Sequence, residues 1–528
     1  MKTTDPSLLN VKRTLCPFCS FGCEFGVVFD DFGVKGIEYL KEGSSGGRLC
    51  PRGSAAALYL NHPMRLSMPM KNGKVLDWAR VFKELKKIIE RPENVAVTFD
   101  RNVTLEEYGI IIDFCREVGI DKIASTYFEP ESLLKKFFDR PFLNDEFDNA
   151  QFMIVLGDPF NQAPMISKSL INWKLKDRMN RLVVIDSINS HTSVFASDFL
   201  RVNVGTEPLL LLALAQEKIS DFDIPSITGI AESSIKTISK AFNEVKNGLI
   251  IACLPFGHTY DPILLTEGLF RLSAFSSKKV VPFVEFPGHE GNHYFGSILN
   301  LIKKKQIKYL INFGELFPYY YPQLEKILKS VNIISTSTIK IDDIGQKTLL
   351  PVALNLEKDG TILTTFGNKH LAGDIKPASG ARTINQIITQ ITGVAGHGGK
   401  VKAPEIKVDI KKRIENIIAK SKTQKKNSFK LIGEKIAYNF LGFFEKEMIK
   451  MNPVDAAELG VRSNDFVVID SKQTQIELSV KLTNDVPIGI IAVPAETPQV
   501  KGLFDFEVDA DNNLVNFIPT EVQIWRKE

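Results

Sequence analysis

Long apolar runs and export signals are missing from the 528-residue sequence. No apolar stretch is long enough to span a bilayer. The N-terminus, MKTTDPSLLNVKRT, has neither a hydrophobic signal core nor a twin arginine. Cysteine is scarce as well, with six in the whole chain. We therefore expect a cytoplasmic protein without a transmembrane segment of its own, whose cysteines stay reduced.

An excess of charge of one sign is also missing. The net charge is only +4, so the chain has no general attraction to nucleic acid or to an anionic membrane, and we expect no nucleic-acid partner. Apolar residues make up 44% and charged residues 24%, which is ordinary for a globular protein. The length predicts several domains rather than one.

Four of the six cysteines lie near the N-terminus, at Cys16, Cys19, Cys23 and Cys50. Disulfides are not expected in a reducing compartment. A zinc site usually takes two C-x2-C knuckles, whereas this motif reads C-x2-C-x3-C-x26-C. Three ligands in one tight loop and a remote fourth suit a [4Fe–4S] cluster. The spacing favours the cluster and leaves the zinc site open as an alternative.

The residues around the cysteines fit a shielded group. Gly22 and Gly26 let the loop curl, and three phenylalanines are expected to exclude water from it: Phe18, Phe21 and Phe25. The two remaining cysteines, Cys115 and Cys253, lie in apolar segments and are expected in the core.

Strand and helix patterns alternate through the middle of the chain. AQFMIVLGD and NRLVVIDS are buried-strand patterns, and four more follow between about residues 245 and 340. TLEEYGIIIDFCREVG is a helix pattern in which Thr104 and Glu107 form a capping box. Such alternation predicts doubly wound parallel sheets. From about residue 430 apolar and polar residues alternate, which predicts a small β-barrel or sandwich.

These patterns predict five segments in order. They are an N-terminal iron–sulfur module (1–65), a first α/β domain (66–245), a second α/β domain that is consecutive or interleaved with the first (246–395), a basic linker (396–430) and a C-terminal β-barrel (431–528). The linker is lysine-rich and contains a short helix pattern, DIKKRIENIIAK. Two interpretations of this segment remain open: a solvated linker, or a surface that contacts an acidic partner subunit.

The cysteine motif also carries a resemblance. LCPFCSFGCEFGV and GRLCPRG resemble the Fe4S4 module of the molybdopterin (bis-guanine-dinucleotide) oxidoreductases, which include formate dehydrogenases and the large subunit of respiratory complex I. Five further stretches resemble that family in the correct order: AQFMIVLGDPFNQAP, LVVIDSINSHTSVFASDFLRVNVGTEPLLLLAL, LINFGELFP, LLPVALNLEKDGTILTTFGNKH and MIKMNPVDAAELGVRSNDFVVIDS. The resemblance implies the iron–sulfur module, two doubly wound α/β domains and a C-terminal dinucleotide-binding barrel.

The resemblance implies two cofactors. One is a [4Fe–4S] cluster on the four cysteines. The other is a bis-molybdopterin guanine dinucleotide carrying molybdenum or tungsten, although a chain without that metal stays open. Arg52 matches a family cation between the cluster and the pterin, where a fixed guanidinium stabilises a reduced cluster.

Candidate residues for the dinucleotides follow the predicted strands. A strand that ends in glycine lets the backbone approach a pyrophosphate, and Gly157 and Gly314 are placed for two dinucleotides. Asp186 ends the next strand and can accept a hydrogen bond from a ribose or a guanine. Glu207 matches a guanine-reading aspartate of the family.

The resemblance assigns three further residues. Gly291 and Asn292 match a glycine- and asparagine-rich loop over the pterins, and Asn452 lies at the opening of the dinucleotide barrel. The same stretch, HEGNH at 289–293, satisfies the zincin motif, but neighbouring Pro287 argues against the helix that a zincin needs. His258 either faces the pterin site or is an ordinary loop histidine.

The sequence departs from the family where formate dehydrogenases carry a cysteine or selenocysteine metal ligand followed by histidine. Tyr127 and Phe128 stand there, and no cysteine is near. Glu129 or Ser132 supplies an oxygen ligand if the register differs by a few residues.

Two functions are therefore open. The first is a formate dehydrogenase-like oxidoreductase subunit that carries electrons in a larger complex with other Fe–S or flavin subunits. The second is a catalytically silent electron-transfer and scaffold subunit, like the large subunit of complex I, without molybdenum or tungsten. The missing thiolate favours the second, whereas Arg52, Asp186 and the turn glycines favour the first.

Overall fold

A computed structural model gives the fold as two units. Unit 1 comprises Met1–Ser132, Phe286–Glu405 and Asp509–Leu514, and unit 2 comprises Leu133–Glu285, Ile406–Val508 and Val515–Glu528. The structure describes residues 9–31, 33–100, 102–126, 129–138, 141–217, 219, 221–254, 256–285, 289–314, 322–340, 347–371, 380–393, 398–422, 428–435, 448–495 and 497–527.

Unit 1 begins with a small antiparallel sheet that carries the cysteines. Its three strands are Asn10–Leu15, Glu24–Asp30 and Gly33–Glu38. The connection between the first two strands holds three of the cysteines, and the fourth directly precedes helix Pro51–Ser54. Helix Ala56–Leu60 follows.

The main sheet of unit 1 has seven strands, in the order Lys74–Val75, Met70–Lys71, Lys347–Pro351, Asn332–Ser337, Tyr309–Phe313, Val95–Phe99 and Ile123–Ser125. The last five are parallel, and all but a few of their residues are buried, as expected for strands covered on both faces. Helices Trp78–Ile89, Leu105–Val118, Phe295–Lys303 and Ile384–Thr392 belong to this unit. So do the shorter helices Glu129–Ser132 and Glu325–Leu328 and the hairpin Gly360–Thr364 with Gly367–Leu371.

A buried ion pair ties three segments of unit 1 together. The predicted capping box at helix Leu105–Val118 is confirmed, with the Thr104 hydroxyl accepting from the Glu107 amide. The Glu107 carboxylate accepts a hydrogen bond from the Ile384 amide at 3.2 Å and another from Lys358 Nζ at 2.6 Å. The Lys358 and Glu107 side chains are only 2% and 6% exposed, so neither charge has water as an alternative partner.

Unit 2 contains a five-stranded parallel sheet and the β-barrel. The sheet order is Asp198–Arg201, Arg181–Asp186, Phe152–Leu156, Gly248–Ala252 and Lys279–Pro282. Its longer helices are Ile166–Lys176, Glu207–Leu214, Glu232–Glu244 and Pro262–Ser276, and its shorter helices are Asn144–Asp148, Pro159–Gln162 and Ile224–Thr228. The predicted barrel is closed, in the order Phe429–Glu434, Ile490–Pro494, Met448–Met451, Gln475–Leu482, Phe466–Asp470 and Thr520–Arg526. Helices Pro453–Leu459 and Pro498–Lys501 and the hairpin Phe506–Val508 with Val515–Phe517 complete the unit.

The structure divides the α/β region differently from the predicted boundary at residue 245. Strands Gly248–Ala252 and Lys279–Pro282 continue the sheet that begins with Phe152–Leu156. The other sheet combines strands from before residue 126 with strands from after residue 308. The two sheets are therefore interleaved in sequence, because strand pairing joins segments that lie far apart along the chain.

The predicted basic linker contains a packed helix. Helix Ile410–Ser421 buries Ile414 and Ile417. Arg413 of the same helix pairs with Asp261 in unit 2, at 2.7 Å. Within the described part of 396–430 this helix therefore belongs to the core of unit 2. Its isoleucines recur every three or four residues and form an apolar face, although the segment as a whole is rich in lysine.

Among the described residues, no helix combines the length and the apolar character needed to cross a bilayer.

The buried ion pair generates the first prediction. Lys358→Met leaves Glu107 buried without its cation, and we expect the free energy of unfolding to fall by about 3–5 kcal/mol. Urea unfolding measures it. The control is Lys402→Met, because Lys402 pairs with Glu405 while both side chains are more than 80% exposed, and its loss should cost under about 1 kcal/mol. Equal shifts for the two variants would contradict this account.

Candidate functional site

The four N-terminal cysteines come together in unit 1. All four are buried and none forms a disulfide. The loop between Cys16 and Cys23 is closed by a hydrogen bond from the Cys16 amide to the Cys23 carbonyl, 2.8 Å long. Gly22 has φ +61°, a left-handed conformation that glycine adopts readily, so the predicted curl is present.

The four thiols interact electrostatically with one another. Burial, followed by repulsion from Cys50 and Cys19, raises the pKa of Cys16, so these thiols are electrostatic neighbours. Within the described ranges, however, no three Cys, His, Asp or Glu side chains converge closely enough to hold one metal ion. A zinc site needs all its sulfurs about 2.3 Å from one point. A [4Fe–4S] cube takes its ligands at separate corners.

Two cations face this group. Arg52 is fully buried, and its charge lowers the pKa of Cys16 against the larger effect of burial. Burial and neighbouring cysteines raise the pKa of Cys23, while Lys369 lowers it. Lys369 Nζ also lies 3.4 Å from a Glu24 carboxylate oxygen. Positive charge on both sides stabilises an anionic group, which four thiolates around a metal cluster would be.

A hairpin from a distant part of the chain covers the cysteine loop. We call Gly360–Thr364 with Gly367–Leu371 the clamp hairpin. The Thr365 amide donates to the Ser20 carbonyl at 2.7 Å, and the two hydroxyls of these residues are 2.8 Å apart. Phe366 packs edge-on against Phe21, with ring centroids 5.0 Å apart. Sequence reasoning noticed this stretch only as a family resemblance and missed its contact with the loop, because no local pattern signals a partner 345 residues away.

A second candidate site lies in unit 2, where the parallel strands end. A cavity of about 20 Å³, room for roughly one water molecule, is bounded by the residues Leu156, Gly157, Ile185, Asp186, Glu207, Cys253, Leu254, His258, Thr259 and Leu265. We call it the strand-end cavity. It brings together the predicted Gly157, Asp186 and Glu207, and it adds His258. The sequence left the orientation of His258 open, since a loop histidine carries no periodic signal.

The polar groups of the strand-end cavity are buried and incompletely paired. Glu207 Oε2 and His258 Nε2 have no hydrogen-bond partner in the described structure. Burial raises the pKa of Glu207 to about 8 and lowers that of His258 to about 4. Burial and the nearby Asp158 carboxylate raise the pKa of Asp186 to about 7. Unpaired buried groups of this kind are expected where a polar ligand supplies the missing partners.

A wider cleft opens next to this cavity within unit 2. It measures about 1160 Å³ and starts at Ser187, the neighbour of Asp186. Three cations are among its lining residues, Arg201, Lys422 and Lys430. Three acidic side chains line it as well, Asp221, Asp223 and Glu415, so the lining as a whole carries no excess of positive charge.

Gly157 itself is required by packing of the chain. Its φ is +78°, and a Cβ there would lie 3.0 Å from the Cys253 carbonyl oxygen. The Gly157 amide donates to the Ile185 carbonyl. The glycine therefore allows strand ends to approach each other closely beside the strand-end cavity.

Gly314 in unit 1 has a different neighbour. A Cβ on Gly314 would overlap the carboxylate of Asp100, so that side chain fills the space which the glycine leaves. The two residues meet because Asp100 follows the strand that pairs in parallel with the strand before Gly314. The role of Gly314 toward a pyrophosphate stays a prediction.

Three other predicted residues have structural contacts instead of an open site. Gly291 packs against the Ile123 carbonyl, and the Asn292 side chain accepts from the Ile123 amide and donates to the Asp121 carbonyl. Asn452 caps helix Pro453–Leu459 and donates to the Val486 carbonyl. These polar groups have partners in the chain, and the loop and barrel assignments stay predictions.

The HEGNH stretch is not helical. The following helix begins at Phe295, and His289 stacks on Tyr108 at 4.7 Å while its Nε2 contacts the Val103 carbonyl. The zincin arrangement of two imidazoles on one helix face is therefore not formed here. Tyr127 and Phe128, at the expected metal-ligand position, lie outside the described residues.

The contact between the clamp hairpin and the cysteine loop generates a prediction. Gly22→Ala places a methyl group 2.7 Å from Thr364 Cγ2 and strains a positive φ, so we expect iron content after anaerobic purification to fall several-fold. Gly36→Ala in the same module is the control, since no atom lies within 4 Å of its Cβ position. Iron analysis by mass spectrometry measures both, and unchanged iron in the Gly22 variant would refute the clamp.

The raised carboxyl pKa values generate a prediction for the cofactor-free protein. The folded state holds protons on Glu207 and Asp186 that the unfolded state releases, so the contribution of these two groups to stability is full at low pH and falls as pH rises. The fall should extend from about pH 4.5 to about pH 8. Glu207→Gln cannot titrate there and should flatten the decline. Unfolding midpoints measured across this range test it, and parallel profiles would exclude the assignment.

Comparison with known families places two domains on the chain. The Molybdopterin oxidoreductase Fe4S4 domain matches residues 9–62, and the Molydopterin dinucleotide binding domain matches residues 437–520. The first match contains all four cysteines and Arg52. The second covers most of the closed barrel. Together they support a [4Fe–4S] cluster and a molybdopterin dinucleotide as the cofactors.

Two curated relatives are redox subunits. The chain is 23% identical over 296 residues to F420-dependent formate dehydrogenase 1 subunit alpha of Methanococcus maripaludis, which covers 53% of this chain and 41% of that one. It is 21% identical over 613 residues to NADPH-Fe(3+) oxidoreductase subunit alpha of Geobacter sulfurreducens, covering 93% of this chain and 72% of that one. The chain thus spans about two fifths of the first relative and nearly three quarters of the second.

A solved structure shares the fold. Acetylene hydratase from Pelobacter acetylenicus matches with a TM-score of 0.72 and 13% sequence identity, over 98% of this chain and 100% of that one. At this identity the likeness concerns the architecture alone. The cysteine module, the closed barrel and the two domain matches agree, and they support a molybdopterin oxidoreductase with an N-terminal 4Fe–4S module.

Proposed function

We propose that the chain is an electron-carrying subunit of a larger cytoplasmic redox complex. In this proposal Cys16, Cys19, Cys23 and Cys50 hold the [4Fe–4S] cluster. Unit 2 holds the nucleotide end of a molybdopterin dinucleotide at the strand-end cavity. The observation that carries the proposal is the group of four buried thiols that interact with one another, with Arg52 buried near Cys16.

The cluster would supply reversible one-electron chemistry. The chain's own residues would set its environment. Phe18, Phe21 and Phe25 are buried around the cysteine loop and exclude water, which strengthens the effect of nearby charges. Arg52 and Lys369 favour the more negative, reduced state of such a group because each is a cation in a region of low polarity.

The strand-end cavity, which has room for about one water molecule, suits a single hydrogen-bond donor group at the edge of a base. Glu207 Oε2 and His258 Nε2 are buried, and both lack a partner among the described residues. The other ring nitrogen of His258 interacts with the Gly433 backbone, which leaves Nε2 as an acceptor. Guanine presents an N2 amino donor, so its edge satisfies acceptors placed in this way.

A chain that holds one cluster needs partner subunits. One cluster cannot move an electron far from the chain that holds it, so another Fe–S or flavin subunit has to receive or deliver the electron. The two curated relatives described above are both named as alpha subunits, which supports an assembly. We propose no substrate, because Tyr127 and Phe128 lie outside the described residues.

A second candidate function is a silent electron-transfer and scaffold subunit without molybdenum or tungsten. The observation that favours it is the Asp100 carboxylate, which lies beside Gly314 in one of the two turns expected to meet a dinucleotide. The two candidates share the cluster and differ in the pterin and its metal.

Cofactor analysis of anaerobically purified protein tests the proposal. We expect about four irons per chain, an electron paramagnetic resonance signal after dithionite reduction, and a fluorescent pterin after oxidation. Cys16→Ala should lose the iron and the signal. Cys115→Ala is the matched control, because Cys115 is buried in the core of unit 1 and should leave iron unchanged.

Each outcome separates the candidates. Iron with pterin and either molybdenum or tungsten supports the redox subunit. Iron without pterin supports the scaffold. Zinc in place of iron, or iron retained by the Cys16 variant, would show that the cysteine assignment is wrong.

A further inference from the structure

The clamp hairpin follows the cysteine loop from its start to its end. Just before the loop, Leu15 packs with Ile362 and Leu371 of the hairpin in one buried apolar cluster. Within the loop, Phe21 packs edge-on against Phe366 of the hairpin, with ring centroids 5.0 Å apart. The hairpin therefore forms a wall of the cysteine site, although it comes from a distant part of the chain.

Lys369 lies on this hairpin and brings a cation to the end of the loop. Its Nζ lies 3.4 Å from a carboxylate oxygen of Glu24, the residue that directly follows Cys23. The same Nζ lies 5.9 Å from the centre of the Phe366 ring. A carboxylate and an aromatic ring both attract an ammonium group, so together they fix the position of this charge.

We propose that Lys369 raises the reduction potential of the [4Fe–4S] cluster from the side of Cys23, and that Glu24 both holds this cation and partly offsets it. The inference rests on the proposed function and adds a device that tunes the same site. Arg52 comes from the helix directly after the fourth cysteine, whereas this charge pair joins the loop to the clamp hairpin.

The charge of Lys369 reaches the cysteine sulfurs. Burial and the neighbouring cysteines raise the pKa of Cys23, whereas Lys369 lowers it. Reduction adds one electron to a [4Fe–4S] cluster and makes the cluster with its thiolates more negative. A nearby cation stabilises that reduced state and raises the potential, whereas a nearby carboxylate lowers it.

Lys369 and Arg52 differ in their exposure to solvent. Arg52 is 1% exposed, whereas the side chains of Lys369 and Glu24 are 21% and 27% exposed. Dissolved salt screens charges that water reaches and screens buried charges much less. The effect of Lys369 on the potential should therefore weaken at high salt, which distinguishes it from a buried charge.

A redox titration of the anaerobically purified whole chain with its cluster, followed by electron paramagnetic resonance, tests the inference. Lys369→Met removes the charge and keeps an unbranched side chain, so we expect a lower potential than in the wild type. Lys369→Arg keeps the charge and should keep the wild-type potential. Lys35→Met is the matched control. Lys35 pairs with Asp30 at 3.2 Å, at the far end of the strand that begins at Glu24, and its loss should leave the potential unchanged.

Glu24→Gln supplies a change of the opposite sign. It removes the carboxylate charge but keeps an oxygen that can accept a hydrogen bond from Lys369, so the potential should rise. Both shifts should shrink at high salt. If Lys369→Met does not retain iron, the sign and the salt dependence of the Glu24→Gln shift decide the matter.

Three results would overturn the inference and leave the proposed function standing. They are an unchanged potential in Lys369→Met, shifts of the same sign in Lys369→Met and Glu24→Gln, and shifts that do not depend on salt. A wild-type chain without any cluster signal would overturn both the inference and the proposed function.

Discussion

A carboxylate buried in a protein interior keeps its charge only if donors or cations surround it, and this constraint decides both strand-end regions of the chain. Asp100 in unit 1 is surrounded by donors from Asn312 and Asn102. Glu207 in unit 2 has an oxygen without a partner, and burial raises its pKa to about 8. The first carboxylate completes a structure, whereas the second is incomplete without a ligand. Two sheets of the same architecture therefore offer different chemistry.

The cysteine module also has to compensate negative charge in a buried place. Four buried thiols repel one another as thiolates, and each is costly to ionise without a metal. The module supplies Arg52 from its own helix, and the clamp hairpin supplies Lys369 from far along the chain. The hairpin also holds the loop through Ser20 and Thr365. Cluster binding and the folding of unit 1 are consequently linked, since residues near both ends of the unit's sequence build one site.

Interleaving of the two units explains how that linkage arises. The chain enters unit 1, builds the main sheet of unit 2, and returns to unit 1 before it forms the barrel. The last strands of the seven-stranded sheet therefore pair with strands made about two hundred residues earlier. The buried pair of Lys358 with Glu107 and the clamp hairpin both span this return. Unit 1 cannot complete its core until the chain has come back.

Local sequence patterns determined the element types, the cysteine motif, the capping box at Thr104 and the placement of Gly157 and Asp186 at strand ends. These features depend on neighbours within a few residues, so spacing and residue type suffice. Tertiary structure alone decided the interleaved sheets, the clamp hairpin, the entry of His258 into the strand-end cavity and the burial of helix Ile410–Ser421. It also decided that Asp100 fills the space at Gly314, where the sequence showed only a second strand-ending glycine. Those features depend on which strands pair and which side chains then share a volume, and contacts between residues hundreds of positions apart leave no periodic trace in the chain.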